Sequence, residues 1–340
     1  MNRTEINELG EFGIINKINS KFKNTRKSTV LGIGDDAAAV SPSNNIVLLS
    51  SDMLIEGIHF DLSYMPLKHL GYKSVIVNLS DIYSMNCNPK QIILNIAISN
   101  KFSVEAIEEF YEGVKYACEE HGVDLIGGDT TSSLSGLTIS CTAIGYSDDE
   151  NISKRDGAIS EDIICVSGDL GRAYIGLLIL QREKKNFLNN PENQPSLSNY
   201  KNLVEKQLRP KARKDIIEFF HLNKIKPNSM IDISDGLSSE LFHLSNSSNL
   251  GFKIFEEKLP IHKDIISTSK ELKINYLDAV LNGGEEYELL FSLPISTFEK
   301  LKLDGIEITP LGHFTENNKK ILVLKNGKEV NMDSKGWDHF

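Results

Sequence analysis

Aspartates recur in this chain at one kind of place, the edge of an apolar run with Gly or Ser alongside. Asp35 and Asp36 follow a Gly-x-Gly in "GIGDDAAAV", Asp52 ends the apolar run of "LLSSDMLIEGIHF", and Asp81 sits late in "VNLSDIYSM". Asp129 lies in "IGGDTTSS", which has no residues to build a core and reads as an exposed, flexible turn. Asp232 and Asp235 share "IDISDGLSSEL", a strand-to-helix turn. Taken singly, each has a plain explanation. Asp235 before Gly suits a turn or a helix N-cap as well as it suits function. Asp81 reads as the solvated face of an amphipathic helix. Asp36 is structural, because adjacent side chains in extended backbone point apart and only one of the Asp35–Asp36 pair can face a given site. The set is harder to dismiss, since Lys and Arg, which normally interleave with surface acids, are nearly absent from these motifs.

If these carboxylates converge, like charges at ~4 Å repel by about 4 kcal/mol per pair at an effective dielectric near 20. Protonation relieves one or two of them; hard divalent cations relieve all. Oxygen ligands without His or Cys favour Mg²⁺ over zinc, and Mg²⁺ commonly completes its shell with water and substrate phosphates. The expected contents are therefore metal and polyphosphate. Gly127 and Gly128 let backbone approach a phosphate, while Asp129 holds the neutralising ion. Ser50 and Ser51 add neutral oxygens, and Asp232 and Ser234 alternate onto one strand face. There is no GxxxxGK[ST] segment and no HRD or DFG, so neither a Walker-type site nor a protein-kinase layout is expected.

The elements that must position these acids are legible as a mixture of strands and helices, α/β or α+β. Strand-like runs rich in β-branched residues cover 45–51, 91–99, 137–146, 162–168 and 287–294. Helical spacing covers 67–85, with Leu70, Ile76, Leu79 and Tyr83 along one side. A second helix runs from an N-cap at Ser103 to a stop at Gly122, with Ile107, Phe110, Val114 and Ala117 on one face. Residues 181–200 lack periodicity and read as an exposed loop. "SGDLGRAYIG" (167–176) reads as a glycine-rich turn chosen for packing, and "KNGK" (325–328) as a hairpin turn. The composition shift over 147–162 marks either a domain boundary or a long loop. The expected division is 1–148 and 149–340.

The 340-residue chain is long enough for two domains. Its formal net charge of −10 leaves no basic excess for nucleic acid or an anionic membrane surface. Cys87, Cys118, Cys141 and Cys165 are widely spaced with no CxxC, which suits reduced thiols in the cytoplasm. No apolar run reaches the ~18 residues of a membrane span, and the N-terminus carries no secretory pattern.

Seven motifs in order, "LGIGDDAA", "SSDMLIEGIHF", "KSVIVNLSDIYSM", "IGGDTT", "IDISDGL", "GGEEYEL" and "KGWDHF", resemble the thiamine-monophosphate kinase family over essentially the whole chain. That family is similar to aminoimidazole ribonucleotide synthetase, selenophosphate synthetase and a hydrogenase-maturation protein. The resemblance implies a two-domain, PurM-like ATP-binding α/β architecture, in a homodimer whose N-terminal domains pair their sheets into a barrel. It implies transfer of the ATP γ-phosphoryl to thiamine monophosphate with several Mg²⁺ ions, giving thiamine diphosphate and ADP, the last step in making that diphosphate. Carried over by position, Asp35, Ser50, Ser51, Asp52, Asp81, Asp129, Asp232 and Asp235 are implied metal ligands. Gly128, Asp129, Arg155, Ser234 and Tyr111 are implied ATP contacts, and His59, Glu285 and Trp337 implied substrate contacts. The acceptor is a phosphate, already nucleophilic at neutral pH, so no general base is needed. Without the resemblance, Arg155 reads as a loop arginine, His59 as a satisfied polar group, "GGEEYEL" as a turn and Trp337 as a packed tail. Three positions depart from the family pattern: Glu286 replaces a frequent Asp, Ser51 a frequent Thr, and Trp337 another aromatic. The selenophosphate relative would need a reactive Cys early in the chain and the hydrogenase relative a Cys-bearing tail; the first Cys is Cys87 and the chain ends "GWDHF".

Overall fold

Alternating burial along β3 (Ile46–Ile55) sets the first layer: Ile46, Leu48, Ser50 and Leu54 are buried, while Ser51, Met53 and Ile55 on the other face are exposed. The computed structural model describes residues 29–31, 35, 38–40, 46–99, 102–301, 303 and 305–334. Within them β3 joins β1 (Thr29–Leu31), β2 (Ala38–Val40), β4 (Pro89–Ile98), β5 (Asp124–Ser132) and β6 (Thr138–Ser147) in a sheet ordered β1-β2-β3-β6-β4-β5. All neighbours are antiparallel except β4 and β5.

Two helices cover the inner face of this sheet. In α1 (Leu67–Ser84), Leu70, Ile76, Leu79 and Tyr83 are buried as their spacing predicts, but so is every residue from Leu70 to Ser80. The helix has no solvated side because sheet, second helix and second sheet all surround it. The second helix, α2 (Val104–His121), starts where Ser103 Oγ accepts the Ala106 N–H at 3.3 Å and stops at Gly122 with φ 68°. The two lie so close that a Cβ on Gly71 would come within 1.9 Å of the Phe110 carbonyl, and one on Gly113 within 1.9 Å of the Lys68 carbonyl.

The second sheet is ordered β13-β12-β9-β11-β7-β10-β8. Its strands are β7 (Ile163–Ser167), β8 (Ser229–Asp232), β9 (Gly251–Phe255), β10 (Leu289–Leu293), β11 (Ile308–Thr315), β12 (Lys320–Val323) and β13 (Glu329–Asn331). Helices α3 (Arg172–Asn189), α4 (Lys201–Leu208), α5 (Lys214–Leu222), α6 (Leu237–Ser247), α7 (Lys263–Leu272) and α8 (Tyr276–Asn282) accompany it. β8 and β10 are buried on both faces, and their apolar residues Met230, Ile231, Leu289, Leu290 and Phe291 accordingly run consecutively rather than alternating with solvated ones. One face, with Cys165, Met230, Leu289 and Phe291, continues the core of the first sheet through Phe220 of α5. The other, with Ile164, Val166, Ile231 and Leu290, packs beneath α6 and α8.

Two expectations are corrected. Residues 181–189 are not loop but the end of α3; their polar character reflects an outer face tied down by Arg182, whose Nη1 reaches Glu271 of α7 at 2.6 Å. "IGGDTTSS" is not a turn: residues 126–132 belong to β5, held by backbone pairing with β4. An edge strand with both faces exposed needs no apolar alternation, so the sequence carried no strand signal there. The 325–328 hairpin forms as expected, with Leu324 N–H bonded to Lys328 O at 2.9 Å and Gly327 at φ 79°.

Candidate active site

Three of the acids feel one another's charge where α1 passes between the sheets. Asp52 lies in mid-β3, its N–H donating to Asn78 Oδ1 of α1 at 2.9 Å. Two and three residues further along α1, Ser80 and Asp81 diverge. Ser80 Oγ donates to Asp232 Oδ2, at the end of β8, at 2.5 Å, while Asp81 Oδ2 accepts from Ser50 Oγ of β3. Consecutive residues of one helix thus join both sheets, and Asp52, Asp81 and Asp232 share one electrostatic environment. Burial, then the charges of Asp52 and Asp232, push the Asp81 carboxyl well above the usual carboxylate range. Desolvation also raises Asp52, against a hydrogen bond with Asp81, although its side chain keeps contact with solvent and so feels a moderated penalty. Asp232 is raised to about 6 by burial, opposed by Ser80 and Arg155.

A second group adjoins it. Arg155 holds Asp35 twice, by its N–H to Oδ2 at 3.3 Å and by Nε 3.5 Å from Oδ1. Burial nevertheless lifts Asp35 to about 6 and lowers the Arg155 pKa from its usual value, against the pull of Asp35, Asp232, Glu240 and Asp235. The loop carrying Ser234 and Asp235 is organised by Glu240 in the first turn of α6. Its Oε1 accepts the Ser234 N–H at 3.1 Å and the Asp235 N–H at 2.8 Å. Desolvation, then the charge of Asp235, raises Glu240 to about 8.

The "GGEEYEL" loop approaches from the other side. Glu285 and Tyr287 both have left-handed backbone, φ 63° and 52°, locked by Glu285 N–H to Ser234 O at 2.7 Å and Tyr287 N–H to Ile233 O at 2.9 Å. Such conformations cost about 1–3 kcal/mol each and persist where surroundings over-determine them. The Tyr287 hydroxyl is raised by burial and by the charges of Glu285, Asp52, Asp232 and Asp81, so it links this loop to the acid cluster. Glu286 turns away to accept the Gly171 and Ala173 N–H groups at the start of α3, at 2.8 and 2.9 Å. His59 sits in the turn after β3, its Nδ1 accepting the Ile55 N–H at 3.0 Å.

The remaining described positions are not gathered with these acids within one chain. Ser51 Oγ shares a hydrogen bond with Thr142 Oγ1 at 2.8 Å on the open face of the first sheet, opposite Asp52. Asp129 lies on that same open face, in register with Asn95, Ser140 and Met53. Three strand spacings of ~4.8 Å put it about 14 Å from Met53. Gly128 abuts β4, since a Cβ there would fall 1.8 Å from the Leu94 carbonyl. Tyr111 is partly buried, edge-on to Phe110 with ring centroids 5.4 Å apart. Trp337 and Asp36 lie outside the described residues. Lys73, Asn78, Ser80, Glu240 and Tyr287 escaped sequence reasoning. "NLSD" and "ISDGLSSE" did offer a signal, polar residues one to five positions from an acid already singled out.

The donors suit a hard cation, being oxygen atoms on acids whose pKa values are raised first by burial and, at Asp81, by neighbouring carboxylates. Among the described residues no three His, Cys, Asp or Glu side chains close around one point. The site is thus an open set of carboxylates rather than a finished cage, the arrangement Mg²⁺ adopts when water and phosphate complete its shell.

Comparison with known proteins gives the same frame. Residues 34–147 match the AIR synthase related protein, N-terminal domain, family. The chain is 36% identical over 339 residues to thiamine-monophosphate kinase of Buchnera aphidicola (Schizaphis graminum strain), covering 98% of this chain and 99% of that protein. It is 35% identical over 336 residues to thiamine-monophosphate kinase of Aquifex aeolicus, covering 98% and 99%. A solved structure described as AaThiL complexed with AMPPCP and TMP superposes with a TM-score of 0.85 at 32% identity, covering all of both chains. Likeness of this extent spans both sheets and the junction where the acids meet, so the chain belongs to the thiamine-monophosphate kinase family.

Proposed function

We propose that this chain transfers the γ-phosphoryl group of ATP to the phosphate of thiamine monophosphate, releasing thiamine diphosphate and ADP. The observation that carries the reading is the convergence of Asp52, Asp81 and Asp232 between the sheets, with carboxyl pKa values raised by burial and mutual charge. Bound Mg²⁺ supplies the positive charge that lets two anions approach in line. Asp35, Ser50, Ser51, Asp52, Asp81, Asp129, Asp232 and Asp235 are the residues that would hold it. Gly128, Asp129, Tyr111, Ser234 and Arg155 orient the nucleotide, Arg155 adding a fixed cation. His59 and Glu285, with Trp337, orient the acceptor. The acceptor phosphate attacks without a general base, so the task of these side chains is positioning and exclusion of water.

The two sheets support a division into units 1–148 and 149–340. A homodimer is supported by the open face of the first sheet, where Met53 (53% exposed) and Ile55 of β3 are uncovered, and by β5, three strands away, which carries exposed Ile126 (56%) and ends the sheet among the described residues. Asp129 and Ser51 lie on that face, so a second copy would complete the site. No helix among the described residues is long and apolar enough to cross a membrane, and all four cysteines are free and buried, which favours the cytoplasm. The test is incubation with ATP, Mg²⁺ and thiamine monophosphate, with expected release of ADP and thiamine diphosphate in equal amounts. ATP binding with no diphosphate formed overturns the reading.

A further inference from the structure

Lys73 is a lysine with almost no access to water: its side chain is 1% exposed, in mid-α1. Its Nζ lies 2.5 Å from Glu285 Oε1 and 3.5 Å from the Gln207 carbonyl oxygen at the end of α4. Gln207 Nε2 donates to the other oxygen, Glu285 Oε2. Both carboxylate oxygens are therefore held by buried partners, from two helices distant in sequence. The Glu285 side chain keeps 28% of its surface open.

Stability alone does not account for this arrangement. A buried ion pair is often no better than well-packed apolar side chains of similar volume, and losing one partner strands a charge. The chain also accepts left-handed backbone at Glu285 to bring it there. Lys73 stands seven residues before Ser80, two helical turns on the same side of α1, so the helix side that fixes Asp232 also fixes Glu285. The Glu285 charge is felt by Tyr287 of the acid junction and by Tyr64 just beyond His59.

We propose that Lys73 is a positioning residue for the acceptor site, acting with Gln207 to aim the Glu285 carboxylate at bound thiamine monophosphate. This rests on the reading of Glu285 as an acceptor contact. With its charge already compensated by Lys73, Glu285 serves as a directed hydrogen-bond acceptor rather than a bare counter-ion.

The experiment compares Lys73→Met, Lys73→Arg, Gln207→Leu, Glu285→Gln and the Lys73→Met/Glu285→Gln double variant. Its readouts are KM for each substrate, kcat, and calorimetric binding of thiamine monophosphate. Loss of an oriented, charged hydrogen bond predicts that Lys73→Met raises KM and Kd for thiamine monophosphate roughly 10-fold or more. KM for ATP should stay within about twofold, and Lys73→Arg should recover part of the loss. Adding Lys73→Met to Glu285→Gln should change KM by less than about twofold, because the two act as one unit. Equal change in both KM values, or full multiplication of effects in the double variant, overturns the proposal. If Lys73→Met does not fold, Gln207→Leu decides it: a raised KM for thiamine monophosphate alone supports the proposal and an unchanged one overturns it. If Glu285→Gln leaves that KM unchanged, the acceptor-contact reading fails and the proposal with it. If Glu285→Gln raises it while Lys73→Met does not, the reading stands and only the proposal falls.

Discussion

Removing the charge of Asp81 relieves three costs at once, its own desolvation and its repulsion from Asp52 and Asp232. Asp81→Asn keeps the shape and the acceptor for Ser50 Oγ. It is therefore expected to raise the metal-free melting temperature by about 2–6 °C while lowering kcat at least ~100-fold. A lower melting temperature in calorimetry would mean that the Ser50 bond outweighs the repulsion. Asp35 and Asp232 add a pH signature. Their folded pKa values of about 6 stand above the ordinary aspartate value of 3.8, so the stability they contribute is complete below about pH 4. As pH rises through about 6 the native chain must give up protons it holds more tightly than the unfolded one, and that contribution is lost. Mg²⁺ should restore it, so its effect on melting temperature should grow from pH 5 to pH 7.5. A magnesium effect independent of pH would separate these acids from the ion.

Helix α1 joins everything at the next scale, through Lys73 to Glu285, Asn78 to Asp52, Ser80 to Asp232 and Asp81 to Ser50. Its seat depends on Gly71 and Gly113, where it touches α2 with no room for a methyl group. Gly71→Ala should cost about 1–3 kcal/mol or more through overpacking, read as a lower denaturation midpoint, with activity falling alongside. A midpoint at or above that of the unaltered chain would show that the helices can part without loss. The sequence made α1 legible as a helix because Leu70, Ile76, Leu79 and Tyr83 repeat at helical spacing. It did not reveal that Ser80 and Lys73 are buried, since polar residues opposite an apolar stripe look like a solvated face until a second sheet covers them. Asp52, Asp81 and Asp232 could be singled out by type and setting, whereas Tyr287 and Glu240 could not, because their roles come from loops brought together by β8 and β10. β5 was missed for the converse reason: its order comes from pairing with β4, which leaves no mark on side-chain pattern.

Across the whole molecule, one chain assembles only part of the set. Asp52 faces α1, while Asp129 faces away from it on the side of the first sheet that also exposes Met53 and Ile55, on β5, the last strand of the sheet among the described residues. A two-fold partner laid on that face would cover the apolar side chains and bring a second Asp129 to the Ser51 side of β3, next to Asp52 in sequence. This has a consequence that no single-chain role for Asp129 shares. Asp52→Asn and Asp129→Asn should each be nearly inactive alone. If each site takes Asp52 from one subunit and Asp129 from the other, a mixed dimer of the two variants holds one site with both aspartates intact. Random re-pairing makes half the dimers mixed, so unfolding and refolding the variants together should restore about a quarter of full activity. Refolding each separately and then mixing should restore none if the dimers do not exchange. Activity that stays at the level of the single variants after co-refolding, with mixed dimers demonstrated by differently tagged chains, would place both aspartates in the same subunit's site.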